Sequence, residues 1–144
     1  MKEEIALILA SHGDFAKEAL NSLEMIVGQQ ENVSTLSLYP GEDLPDFTKR
    51  MDDAYKNLDH IKGAIILCDI YGGTPSNAAM GMLIKYQDAK VAAYSGLNLP
   101  VLLELSASRK LDYIEIKKII EETAKLSWIE LKNNKNNTAM EGGL

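Results

Sequence analysis

Short apolar runs along the chain alternate with stretches whose apolar residues return every third or fourth position. Residues 5–10 form an unbroken apolar run of strand length, the pattern of a strand covered on both faces in a parallel sheet. Beyond Ser11-His12-Gly13-Asp14, the residues Phe15, Ala16, Ala19, Leu20, Leu23, Ile26 and Val27 keep helical spacing up to Gly28, a helix stop. Residues 33–38 are short, partly β-branched and less cleanly apolar, which suits a strand nearer the sheet edge. After Tyr39-Pro40-Gly41, a cap candidate at Asp43, an early Pro45 and first-turn acids open a helix carrying Phe47, Met51, Ala54, Tyr55 and Leu58 inward.

Residues 61–68 predict a third strand, and Gly72-Gly73-Thr74-Pro75 turns it into a helix with Thr74 as N-cap and Pro75 at the first helical position. Ala78, Ala79, Met82, Leu83 and Tyr86 make that helix's inward stripe. A fourth strand over 91–95 feeds a helix capped by Asn98. A helix over about 112–125, with Ile116, Ile119, Ile120 and Ala124 inward, precedes a final short strand at 126–131. The expected division is one domain over 1–132 and a polar tail or linker stub over 133–144, rich in Asn, Gly and Lys.

Alternation of this kind predicts an α/β fold: a doubly wound, mostly parallel sheet in flavodoxin-like order inside three α/β/α layers. Right-handed crossovers place the ends of the first, third and fourth strands on one edge, where such sheets bind ligands. His12, Asp69 and Thr74 all map to that edge.

Composition narrows the partners rather than the fold. The 144 residues fit one domain able to bury a sizeable core without disulfide or metal staples. Fifteen basic against 21 acidic residues, net −6 with no basic block, argue against nucleic acid and for small molecules or proteins. Cys68 lies in an apolar run and reads as a small buried hydrophobe. The acidic start and the brevity of the next apolar run give no signal-peptide or membrane-span pattern, so a cytoplasmic protein is expected.

Two histidines stand in different contexts. His60, before the third strand, reads as a solvated loop residue on the far edge. His12 stands at a strand-to-helix turn opposite Asp69. A carboxylate that accepts a proton from one imidazole nitrogen fixes the tautomer and leaves the other as a nucleophile, able to attack phosphorus. Phosphoryl transfer then asks mainly for alignment and for donors to the equatorial oxygens. The Gly72-Gly73-Thr74 turn can supply several backbone N–H groups for this. Thr74's hydroxyl could donate as well or simply cap the helix, and Asp69 could itself be no more than a cap.

No Walker loop, dinucleotide fingerprint, nucleophile elbow or paired-histidine metal motif is present, so no cofactor or metal is expected. Two other readings stand beside phosphohistidine chemistry. Asp69 could be the phosphate acceptor of a receiver-like domain, although the acidic cluster such domains use after the first strand is missing. The chain could also be a non-catalytic anion-binding module.

Ser11-His12-Gly13 followed by Phe15-Ala16, and Asp69 through Gly72-Gly73-Thr74-Pro75 into Asn77-Ala78-Ala79, resemble the IIA component of the mannose class of the bacterial sugar phosphotransferase system; Gly96-Leu97-Asn98-Leu99-Pro100 is a third echo. The resemblance covers about residues 3–131. It implies a phosphocarrier in which His12 takes a phosphoryl group from the histidine phosphocarrier protein and hands it to a cognate IIB subunit. Membrane IIC and IID subunits lie further along, and the protein-to-protein transfer is phosphotransferase chemistry. Asp69 orients His12, and Gly13, Gly72, Gly73 and Thr74 hold the phosphoryl group. Phe15, Tyr71 and Asn98 are candidates for the partner surface. The resemblance also implies a homodimer whose last strand, 126–131, is exchanged and antiparallel.

Overall fold

The computed structural model describes residues 3–133. Four strands, β1 (Ala6–His12), β2 (Val33–Leu38), β3 (Ala64–Cys68) and β4 (Val91–Ser95), alternate with α1 (Phe15–Val27), α2 (Leu44–Asn57), α3 (Thr74–Lys85) and α4 (Leu99–Ala107), and α5 (Tyr113–Leu126) follows. The sheet runs β2-β1-β3-β4 with every pairing parallel.

Period-two alternation sorts β1 between two cores. Ile5, Leu7 and Leu9 pack with Leu23 of α1, Leu102 and Leu105 of α4, and Ile116 and Ile120 of α5. Ala6, Ile8 and Ala10 face Phe47 and Met51 of α2 and Met82 of α3. The winding therefore reverses between β1 and β3, the switch point where the ends of these strands leave a crevice.

Local chemistry sets most helix starts. The carboxylates of Asp43 and Asp112 and the amide oxygen of Asn98 each accept the N–H three residues on, at 2.9–3.0 Å. Gly28, at φ 91°, ends α1 as its position predicts. Two buried charges tie elements together. Asp52 on α2 accepts from Lys85 (2.7 Å), the last residue of α3, and from Tyr86 (2.5 Å) just past it, and Lys56 lies 3.1 Å away. Burial pushes this carboxyl up, but those three partners outweigh it and hold it down at about 2. Just before the starts of β1 and β2, the buried Arg109 donates to the carbonyls of Ile5, Glu31 and Asn32.

Three expectations need correction. Residues 126–131 do not form a strand in this chain: Leu126 closes α5, and 127–133 carry no regular structure. A strand exists by pairing, and no edge of this chain pairs with the segment; Trp128 is 95% exposed, with Ile129 and Leu131 also open. The described sheet is accordingly all parallel, and among the described residues nothing pairs with the outer edge of β4. Secondly, His60 is not a solvated loop residue. Its ring stacks on Tyr55 at 4.2 Å, with Nδ1 3.1 and 3.0 Å from the Tyr55 and Leu58 carbonyls at the end of α2. Thirdly, of the positions assigned by helical spacing, Phe15, Ile26, Val27 and Ala124 are exposed. The expected tail falls almost wholly outside the described residues.

Candidate functional site

His12 is the last residue of β1, paired with Leu38 of β2, and Asp69 is the first residue beyond β3. Because β1 and β3 are neighbours, the Asp69 N–H bonds to the Ala10 carbonyl at 3.2 Å, and its carboxylate comes beside His12. One oxygen, Oδ2, meets the His12 backbone N–H at 2.9 Å and ring Nδ1 at 2.8 Å, while Oδ1 accepts from Ile70 N–H at 2.9 Å. Partial burial raises the Asp69 carboxyl, but the bonds from His12 and Ile70 together with the attraction of the ring outweigh burial and hold it below the ordinary carboxylate range. An ionised oxygen opposite Nδ1 makes Nδ1 the protonated nitrogen and leaves a lone pair on Nε2.

The turn after Asp69 brings backbone to that free nitrogen. Gly72 and Gly73 both stand at φ 87°, and a Cβ on Gly73 would lie 3.1 Å from His12 Cε1 and 3.3 Å from Nε2. Gly73 is also the N-cap of α3, which makes Thr74 the first helical residue and Pro75 the second. This shifts by one the start expected from sequence: Thr74 is not the cap and makes no capping bond. A glycine able to adopt positive φ takes that place instead. Among the described residues, the N–H groups of Gly72, Gly73, Thr74 and Ser76 bond to no acceptor. They are free donors at the N-terminus of α3, whose cap Gly73 lies against His12.

On the other flank Gly13, at φ 53°, donates to the Leu38 carbonyl at 2.7 Å. Asp14 occupies the N-cap of α1 without capping it; its carboxylate accepts from Ser37 (2.8 Å) and Tyr39 (2.5 Å), which keep its pKa low. Neither this bridge to the β2–α2 loop nor the bonds of buried Ser11 were read from the sequence. The signal available was the placement of Tyr39 at the end of the strand beside β1. Gly96 closes the far side, its N–H shared by the Cys68 and Asp69 carbonyls at 3.0 and 3.2 Å.

Other candidates separate into distinct roles. Phe15, the first residue of α1, and Tyr71, on the turn after β3, are both exposed, with Tyr71 90% open. Asn98 instead spends its side chain capping α4 and bonding the Gly96 carbonyl at 3.0 Å. Burial, with Asp69's charge adding, pushes the Cys68 thiol up to about 12, so it carries no nucleophilic role. Among the described residues no cluster of three or more potential metal ligands occurs, and no helix is long and apolar enough to cross a membrane.

Fold and site together define a parallel α/β domain that presents a carboxylate-held histidine to a helix N-terminus at its switch point. The family described as "PTS system fructose IIA component" matches residues 6–124. A Bacillus subtilis "PTS system fructose-specific EIIA component" is 31% identical over 123 residues, covering 85% of this chain and 82% of the relative. An Escherichia coli "PTS system mannose-specific EIIAB component" is 34% identical over 105 residues, which is 73% of this chain but 32% of that protein, so the chain matches about a third of this relative. Among solved structures, the mannose/sorbose-specific IIA subunit of Enterococcus faecalis superposes with TM-score 0.80 at 26% identity, covering 93% of this chain and 99% of the other. A IIA protein associated with the fucose utilization operon of Streptococcus pneumoniae gives 0.77 at 33% identity, covering 90% and 96%. The chain belongs to the mannose-class IIA components of the sugar phosphotransferase system.

Proposed function

We propose that this protein is a phosphocarrier working through a phosphohistidine at Nε2 of His12. It takes the phosphoryl group from the phosphorylated histidine phosphocarrier protein and delivers it to its cognate IIB subunit in the cytoplasm. The observation that carries the reading is the division of the imidazole: Nδ1 is held by Asp69 at 2.8 Å, and Nε2 faces the Gly73 turn.

In the forward step the Nε2 lone pair attacks the donor's phosphorus, the P–N bond to the donor histidine breaks, and its electron pair returns to the donor ring. The positive charge then spread over the His12 ring lies against the Asp69 carboxylate. Onward transfer breaks the new P–N bond as the nucleophile of IIB attacks. Through both steps the N–H groups of Gly72, Gly73, Thr74 and Ser76 stabilise charge on the equatorial oxygens. Losing one such donor typically costs about 2.7–4 kcal/mol of barrier, more than the ~0.3–1 kcal/mol attributed to the helix dipole. Phe15 and Tyr71 provide apolar contact for both partners. A second copy completes the assembly through β4's free edge, where cavities of about 420 and 260 Å³ open on its two faces. The exposed Trp128, Ile129 and Leu131 supply the apolar side chains to fill them.

The test is incubation with the phosphorylated histidine carrier and mapping of the label. Stoichiometric phosphate that survives base, is lost in acid and disappears in His12→Ala is expected. Base-labile phosphate retained in His12→Ala would move the acceptor to Asp69 and end the proposal, and a folded protein that takes no label from any carrier would leave only anion binding.

A further inference from the structure

We propose that Ser11 is a positioning residue for transfer through His12, a role that rests on the phosphocarrier reading above. Ser11 has no exposed surface at all. Its hydroxyl donates to the Gly13 carbonyl at 3.1 Å and accepts the Ala16 N–H at 2.7 Å. The second bond is a helix cap delivered from outside the helix. Asp14 holds the N-cap place but gives its carboxylate to Ser37 and Tyr39, leaving the first turn of α1 to a residue five positions before Ala16. One hydroxyl therefore clamps both ends of the turn that begins at His12.

The clamp matters because His12 reaches a single carboxylate oxygen twice, through its backbone N–H at 2.9 Å and through Nδ1 at 2.8 Å. Both bonds form together only when the peptide plane and the ring torsions are fixed at once. Ser11 and Gly13 are the covalent neighbours that fix that plane. A hydroxyl is the smallest side chain that donates and accepts at one atom. Alanine does neither, and a thiol keeps the shape with weaker, longer bonds.

Ser11→Ala and Ser11→Cys are compared with Asp52→Asn, a destabilising change on the α2–α3 face away from the site. Single-turnover transfer is followed from the phosphorylated histidine carrier over a range of carrier concentrations, alongside Tm and the ¹⁵N spectrum of the His12 ring. In Ser11→Ala the saturating rate should fall about tenfold or more with the half-saturating concentration unchanged. The ring signals should move from an Nδ1–H form toward a mixture of tautomers, with Ser11→Cys intermediate and Asp52→Asn transferring at the wild-type rate. A Ser11→Ala protein that loses Tm but keeps both the rate and the ¹⁵N spectrum would overturn the inference. Ser11→Cys decides by the same measures if Ser11→Ala does not fold. Absence of transfer in the wild type would end the phosphocarrier reading alone, since the ¹⁵N spectrum still reports whether Ser11 holds the ring.

Discussion

Gly73 leaves His12 no margin for a side chain. With φ at 87° and a Cβ site 3.3 Å from Nε2, Gly73→Ala should both strain the backbone, by about 1–3 kcal/mol, and crowd the nitrogen that attacks. The expected outcome is a folded protein with single-turnover transfer slowed more than about tenfold, checked against circular dichroism of the same sample. Asp69→Asn should act differently. The amide is nearly isosteric, so the fold stays, but the charge opposing the developing imidazolium is gone, and the saturating rate should drop about a hundredfold. An unchanged rate would reduce Asp69 to a capping acid. His12 and Asp69 were legible in the sequence because each ends an apolar run, and neighbouring parallel strands bring such ends together. Thr74 was misplaced by one residue for an equally physical reason. Thr before Pro is a good cap signal, but Gly73 can take a positive φ and leaves Thr74 free to enter the helix.

Among the elements, helix starts were the most readable, since Asp43 and Asn98 cap through their own side chains and signal it by residue type alone, while Asp112, expected as the first helical residue, caps α5 in the same way. Asn98→Ala should cost about 1 kcal/mol, read as a lower Tm. Phosphoryl transfer in that variant should match wild type, because the side chain serves α4 rather than a partner. The α2–α3 link was not readable, as nothing in local spacing joins Asp52 to Lys85 and Tyr86 across 33 and 34 residues. Its contribution depends on pH in a defined direction. With the folded carboxyl near 2 and the unfolded one near 3.8, the link is in force above about pH 4 and fades as pH falls toward 2. Asp52→Asn should therefore lower stability by about 1–2 kcal/mol at neutral pH, with the difference from wild type vanishing in urea titrations at about pH 2. Phe15 shows the limit of periodicity: in the first turn of α1 it is Ala16 that sits fully buried against the core, and the neighbouring Phe15 ring stands open.

At the scale of the molecule, the strand order followed from handedness and from the continuity of the apolar runs, whereas Arg109 was invisible. A lone arginine in a loop gives no hint that it will be buried to gather three carbonyls at the lower ends of β1 and β2. Residues 126–131 posed the opposite problem, a strand pattern without a partner in its own chain. Ending the chain after Leu126 should give a monomer in sedimentation equilibrium, against a dimer for the full sequence. The fold itself should persist, because neither core draws on residues past Ile120. The open side of β4 then bears on how the protein keeps. Val91 to Ser95 includes no charge or proline to discourage strand addition, so its bare backbone is a template for any extended segment. In the shortened protein, slow fibril growth rather than unfolding should set the shelf life, with thioflavin fluorescence rising while near-UV dichroism of the remaining soluble fraction stays native.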